Sequence, residues 1–520
     1  MRRKLRMLFI FIILFIIASI ISVYSYGTFA KKAKGEDSYA LPVIENQTPI
    51  DFAVAKGLAE HPNESGLILV TDNLDAFAIR AITAREAGRS LDLQYYIWKD
   101  DLTGKLLDLE LLKAADRGVK IRLLLDDMNA HGRNSILAAL NVHPNIQIRM
   151  FNPTRARDNG LVRGVELILR ALSVNRRMHN KAWIADGRIA IVGGRNVGDE
   201  YFAASKEKNF FDADLVMSGQ IVAETSHIFD QFWNSDSAIP LEALIKTDFD
   251  ALDNFRISII DARNSKSAEP YIGQIEQTES MKAVLQGQGE MKLHWTKDAH
   301  VYSDPPEKVT DENKENWLIY KLLPAMVSAD STLKVISPYF VPRETGLEKF
   351  AELSEKGIHI DILTNSLAAN DVLLVHGGYA PYRVPLLEHG INLYELKTFG
   401  KVDQSFFGSS GASLHTKAFL VDDRIGFVGS LNFDPRSVML NTEMGVLFSE
   451  PTILTALAKE FEQRSSADYS YKLILEDGDL RWLDESDKQN PQIWDEEPQS
   501  SWWQRITAKI AGWLPIESQL

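Results

Sequence analysis

The chain opens with an unbroken apolar run from Met7 to Tyr26, rich in Ile, Phe and Leu. At the helical rise of about 1.5 Å per residue, that run just crosses a hydrocarbon layer about 30 Å thick. No later segment is long and apolar enough to do the same. From about residue 90 the pattern changes to short strands alternating with helices. Leu91 to Ile97 alternates like a strand, and Leu106, Leu107, Leu111, Leu112 and Ala115 follow at helical spacing. Gly118 then stops the helix and leads into a second strand, Val119 to Leu125. The second half repeats the pattern with Leu333 to Tyr339, a helix carrying Leu347, Phe350 and Leu353, then Gly357 and a strand from Ile358 to Leu363. A third strand closes each copy, Ile146 to Met150 in one and Ile391 to Tyr394 in the other. Strands alternating with helices imply right-handed crossovers and a covered sheet in each half. A repeat this long is a duplicated domain rather than a solenoid. The expected fold class is therefore α/β, with two duplicated lobes behind an N-terminal transmembrane helix.

This pattern divides the chain into a basic flank and anchor (1–26), a tether (27–65), a first lobe (66–265), a second lobe (266–480) and an acidic linker with a Trp-rich amphipathic tail (481–520). A length of 520 residues already exceeds what one core usually serves. Arg2, Arg3, Lys4 and Arg6 precede the apolar run, whereas Lys31, Lys32 and Lys34 follow it. That bias favours a cytoplasmic N-terminus, with the body on the far side of the membrane. The alternative is a cleaved signal peptide, with Thr28-Phe29-Ala30 as a small-residue cleavage site. The chain has no cysteine, which removes disulfides, thiolate nucleophiles and cysteine zinc sites. A net charge of −14 argues against nucleic acid as a routine partner, because that affinity rests on counterion release by basic surfaces.

Each half carries one further polar segment, and the two agree in spacing. His179-Asn180-Lys181 is followed by Asp186 and then Gly193-Gly194-Arg195-Asn196; His415-Thr416-Lys417 is followed by Asp422 and then Gly429-Ser430-Leu431-Asn432. The stretches between, Ala182 to Ala185 and Ala418 to Val421, are apolar strand, so His and Lys two apart share a face. Lys and Asn offer the cations and amide donors that an anionic phosphodiester needs around its non-bridging oxygens. Imidazole serves as nucleophile at nitrogen and as acid or base near neutral pH. Two imidazoles can thus split one displacement into two easier steps.

The double His-x-Lys-x4-Asp pattern resembles the phospholipase D superfamily over about residues 65–480. Met178-His179-Asn180-Lys181, Gly193 to Tyr201, Asn365 to Asp371 and Val375-His376-Gly377-Gly378-Tyr379 more narrowly resemble bacterial cardiolipin synthases. The resemblance implies two α/β/α sandwich lobes around a shared active-site cleft. It also implies phosphatidyl transfer from a donor phospholipid to phosphatidylglycerol through a phosphohistidine. Hydrolysis to phosphatidic acid and nuclease-type phosphodiester cleavage are the alternatives within the superfamily. His179, Lys181, Asp186, His415, Lys417 and Asp422 are then the expected catalytic set, with His179 as nucleophile and His415 as acid and base, or the reverse. Asn196 and Asn432 would hold the phosphoryl oxygens. Asp212 and Glu443, at equivalent points after each motif, would each orient a histidine. Asp186 and Asp422 have an equally good role in supporting their turns. No metal and no cofactor are called for. The partners implied are phosphatidylglycerol, phosphatidylethanolamine as a further donor, and the membrane; whether a protein partner is needed is left open.

Three other features complete the reading. His376, Tyr379 and Arg383 suit either an acceptor-headgroup pocket or a helix surface. Residues 161–177, with Arg163, Arg170, Arg176 and Arg177, suggest a basic amphipathic element on anionic lipid. Trp503, Ile506, Ile510, Trp513 and Leu514 form an apolar stripe that suits a membrane interface or the protein body. The acidic stretch Asp484 to Glu497 reads as solvated linker.

Overall fold

The computed structural model describes the chain except Met1, His131, Asp158, 247–249, 282–291, 311–312, 399–411, 514–516 and Leu520. Leu514 of the tail stripe therefore lies outside the described residues. The three strands expected in each half form as Ser90–Tyr95, Lys120–Asp126 and Ile146–Phe151, and as Thr332–Ile336, His359–Asn365 and Asn392–Leu396. Each trio is parallel, as crossover helices require. Each motif strand, Ala182–Ala185 or Ala418–Val421, lies antiparallel on the outer side of its trio. Among the described residues the first sheet has nine strands and the second ten.

Side-chain alternation sends each sheet's residues to two cores. Leu91, Leu93, Tyr95 and Trp183 face the outer helices of the first lobe, while Leu333, Val335, Ile360 and Phe419 do the same in the second. Opposite faces, with Ala182, Ile184, Ala418 and Leu420, enter one common core between the sheets. Helices Gln220–Trp233 and Pro451–Ser465 fill that middle layer through Phe229, Phe232, Leu457 and Phe461. The two α/β/α lobes thus share their central layer.

The structure redraws the segment boundaries. The N-terminal helix runs Arg2–Ala33, beyond Tyr26. The segment 27–65 contains a helix, Pro49–Glu60, capped by Thr48, whose Ile50 and Val54 enter the first core. The junction at 265 falls inside first-lobe material. Phe255, Ile259, Tyr271 and Ile275 pack in its core, and His294–Thr296 adds an edge strand to its sheet. The second sheet begins with Ala299–Ser303. Strand Asp479–Asp484 runs through the boundary at 480, and Gln492–Trp494 pairs with it inside the presumed linker. These segments are amphipathic and short, so their polarity reads as linker until a sheet edge or core is present to receive their apolar side.

Candidate active site

His179 and Lys181 lie just before strand Ala182–Ala185, and His415 and Lys417 just before Ala418–Val421. Both approaches are held by backbone from the other lobe. His179 N donates to Thr442 O (2.9 Å), and Thr442 N donates to Arg177 O (2.9 Å). In the second lobe, Ala412–Leu414 pairs in parallel with Asn209–Phe211, and His415 N donates to Phe211 O (2.7 Å). This pairing sets the next residue of each partner strand, Glu443 or Asp212, beside the histidine of the opposite lobe. His179 Nδ1 lies 2.8 Å from Glu443 Oε2, and His415 Nδ1 lies 2.6 Å from Asp212 Oδ2. A carboxylate on Nδ1 fixes the tautomer and leaves Nε2 for chemistry.

Aromatic rings pack against both imidazoles, Tyr96 and Tyr201 edge-on and Phe210 tilted. Tyr96 lies 5.0 Å from His179, and Tyr201 and Phe210 lie 5.2 and 4.9 Å from His415. Lys181 donates to His179 O (2.6 Å) and Lys417 to His415 O, each lysine only 1% exposed. Asn196 accepts from Ile97 N (3.1 Å) and donates to Tyr201 OH (3.0 Å). Its amide retains a second N–H. Asn432 donates weakly to Ser437 Oγ (3.4 Å), and its Oδ1 has no partner among the described residues. The motif glycine is steric: a Cβ on Gly194 would stand 2.2 Å from Asp212 Oδ1. The second lobe has Ser430 there, and its hydroxyl donates to the Glu443 oxygen that meets His179.

Burial sets the electrostatics. It pushes His179 well below its ordinary value, helped by Lys181, Lys417 and His415. His415 falls to about 4, by burial and Lys417, against the pull of Asp212. Lys181 is also driven well down by burial, and Lys417 to about 8. Burial lifts Glu443 to about 7 against the attraction of Lys181. It also acts upward on Asp212, but His415, Lys417 and Arg195 together bring that carboxyl below its usual range. Burial thus favours the neutral form of both imidazoles. An anion entering between the lysines would act upward on every cation here, because opposite charge favours the protonated form.

Asp186 and Asp422, expected in the catalytic set, stand apart from it. They follow the motif strand at its far end, about 20 Å along an extended chain from the histidines. Asp186 accepts the backbone N–H groups of Gly88, Arg89 and Ser90, and Asp422 those of Asp330, Ser331 and Thr332. Each pins the start of the neighbouring parallel strand, which is the turn-supporting role. His376 and Arg383 line neither a headgroup pocket nor a surface. They are buried in an ion cluster, with Arg383 ion-paired to Glu395 (2.8 Å) and donating to Glu497 (2.7 Å), and His376 Nε2 3.1 Å from Glu497. Arg170 and Arg177 are likewise buried; Arg177 grips Asp126, which also accepts Met178 N. Tyr96, Tyr201, Phe210 and Ser430 were not singled out from sequence. The repeat gives no signal for the first, since the position equivalent to Tyr96 in the second half is Pro338.

Comparison with known proteins agrees with this geometry. The family model described as cardiolipin synthase, phospholipase D-like domain matches residues 81–233 and 322–465, one motif in each span. Cardiolipin synthase C of Escherichia coli (strain K12) is 39% identical over 472 residues, covering 89% of this chain and 98% of that protein. The cardiolipin synthase of Geobacillus kaustophilus is 26% identical over 427 residues, 81% of this chain and 70% of that protein. The crystal structure of phosphatidylserine synthase from Haemophilus influenzae Rd KW20 superposes with a TM-score of 0.54 at 14% identity, covering 93% of this chain and 96% of that one. At that identity the likeness is one of fold. The chain belongs to the cardiolipin synthase family of phospholipase D-like enzymes.

Proposed function

We propose that the chain is a cardiolipin synthase that moves a phosphatidyl group from a donor phospholipid to phosphatidylglycerol in two displacements at phosphorus. The observation that carries the reading is the crossed set of two imidazoles, each bonded through Nδ1 to the other lobe's carboxylate, with a buried lysine beside each. In the first step His179 Nε2 attacks phosphorus and forms a P–N bond. The P–O bond to the donor's headgroup breaks, and His415, protonated at Nε2 once the anionic phosphodiester is bound, gives that proton to the departing alcohol. In the second step His415 takes a proton from the acceptor hydroxyl, that oxygen attacks phosphorus, and the P–N bond breaks. Lys181, Lys417 and the free amide hydrogens of Asn196 and Asn432 hold the non-bridging oxygens through both steps. Asp212 and Glu443 keep each imidazole in its working tautomer. The N-terminal apolar helix is the membrane anchor, and its flanking charges favour a periplasmic body.

The test is phospholipid turnover by purified protein in vesicles of phosphatidylglycerol alone or mixed with phosphatidylethanolamine. Cardiolipin formed by the native chain and lost in His179→Ala and His415→Ala is the expected result. The headgroup alcohol released, glycerol or ethanolamine, identifies the donor. Phosphatidic acid as the main product would make water the acceptor and overturn the synthase reading.

A further inference from the structure

Helix Gly160–Leu169 is attached to the body by its charged side. Its buried residue is Glu166, which accepts Arg155 N (3.0 Å), Ala156 N (3.1 Å) and Arg170 Nη1 (2.7 Å). Arg163 Nε donates to Thr154 Oγ1 (3.1 Å) on the same side. Leu161, Val162, Val165 and Ile168 face outward, with Leu172 just beyond; Leu161 is 85% exposed and Leu172 89%. A helix in water normally buries its apolar stripe, and a contiguous exposed one marks an interaction surface.

Two neighbours show what covers it. The first is the N-terminal helix. Its window of mean hydropathy 2.9 has no part buried, and it is long enough to cross a membrane. Its Tyr26 ring lies 3.3 Å from the Arg170 guanidinium and its Phe29 ring 5.7 Å from that of Arg155, so the helix leaves the body beside this apolar face. The second is the tail helix, Trp502–Trp513, which packs Ala508 and Ala511 against Gly377 and turns Trp502, Trp503, Ile506, Ile510 and Trp513 outward. Beyond it, Gln519 is held by Asn175 Nδ2 (2.7 Å) and Arg436 Nε (3.2 Å). The tail thus ends next to helix Ala171–Val174. Tryptophan favours the headgroup layer of a bilayer.

We propose that the Leu161–Leu172 face and the tryptophan face of the tail helix insert together into the headgroup layer of the membrane that the N-terminal helix crosses, so that the cleft draws its phospholipid directly from that leaflet. This deepens the phosphatidyl-transfer reading and rests on it. Leu172 precedes His179 by seven residues, so its Cα lies within about 25 Å of the His179 Cα.

The chain has no cysteine, so single introduced ones report cleanly. Leu161→Cys, Leu172→Cys and Trp513→Cys would be spin-labelled in the full chain and reconstituted in vesicles of phosphatidylglycerol and phosphatidylethanolamine. Glu352→Cys, on the exposed side of helix Arg343–Glu355, is the aqueous control. The three platform labels are expected to be relaxed more by oxygen than by a water-soluble nickel chelate, and the control label the reverse. Nickel dominance at the platform overturns the proposal. Labels shielded from both overturn it in favour of a second copy of the chain. In the Leu161→Asp/Leu172→Asp variant, turnover of long-chain lipid in vesicles falls about tenfold, while turnover of water-soluble short-chain phosphatidylglycerol persists. No fall on vesicles, or an equal fall on both substrates, overturns the platform. A native chain inactive on both substrates would instead strike the phosphatidyl-transfer reading, and the labels would still decide the platform.

Discussion

Glu443 and Asp212 act on imidazoles of the lobe to which they do not belong, and each contact has a measurable consequence. Asp212→Asn and Glu443→Gln preserve shape but remove the charge that selects the tautomer, so each should lower kcat by about 10²- to 10⁴-fold with little change in stability. The two act within one constellation, so the double variant should lose far less than the product of the single losses. Lys417 predicts the pH profile. A lysine brought down to about 8 by burial is charged below that value and neutral above it. The charge that receives the phosphodiester therefore disappears as pH rises, and kcat/KM should fall along an alkaline limb near 8. Lys417→Arg keeps its charge, so it should shift that limb to higher pH whatever its maximum rate; a limb that stays in place would assign it to another group.

The motif hairpins tie sequence spacing to function at the level of elements. Asp186 and Asp422 both sit at positive φ in the turns that end the motif strands, and both accept three backbone N–H groups from the adjacent strand. Removing either carboxylate strands those donors. Asp186→Ala should cost about 3 kcal/mol of stability in denaturant titration, with turnover of the folded enzyme intact. For Asp422 the sign of the pH dependence is set. Its backbone bonds and Arg424 hold the carboxyl below its ordinary range despite burial. The contribution is therefore present above the unfolded value of about 4 and fades as pH falls below it. The stability gap between native and Asp422→Ala should narrow in acid, and a gap independent of pH would count against the ionised cap. Gly194 works differently, because a methyl there collides with Asp212. Gly194→Ala should reproduce the catalytic defect of Asp212→Asn.

The whole molecule behaves as one unit because the histidine-bonded carboxylates and the middle core are both shared between lobes. Residues 1–297 or 298–520 alone would expose the common core of Phe229, Phe232, Leu457 and Phe461. Each half would also present a histidine without its carboxylate. Neither half should turn over lipid by itself, and co-expression should restore activity through the Met178–Thr442 bridge and the Ala412–Leu414 pairing with Asn209–Phe211. Full activity in one isolated half would refute the crossed arrangement.

Periodicity and spacing determined the six central strands, the duplication, the apolar N-terminal helix and the two His-Lys pairs, because each is a local signal whose side-chain pattern holds wherever the segment lies. Asp212 and Glu443 were also visible as equivalent residues, but which histidine each serves was not. That pairing depends on strands more than 200 residues apart exchanging backbone hydrogen bonds across the lobe interface. The burial of Arg383, His376 and Glu497 was hidden for the same reason: charged residues read as surface until partners from distant segments neutralise them in one place. The outward apolar face of Leu161 to Leu172 shows the converse. Its pattern announces an amphipathic helix, and only the packing of Glu166 against the body decides that the apolar side is the one left facing out.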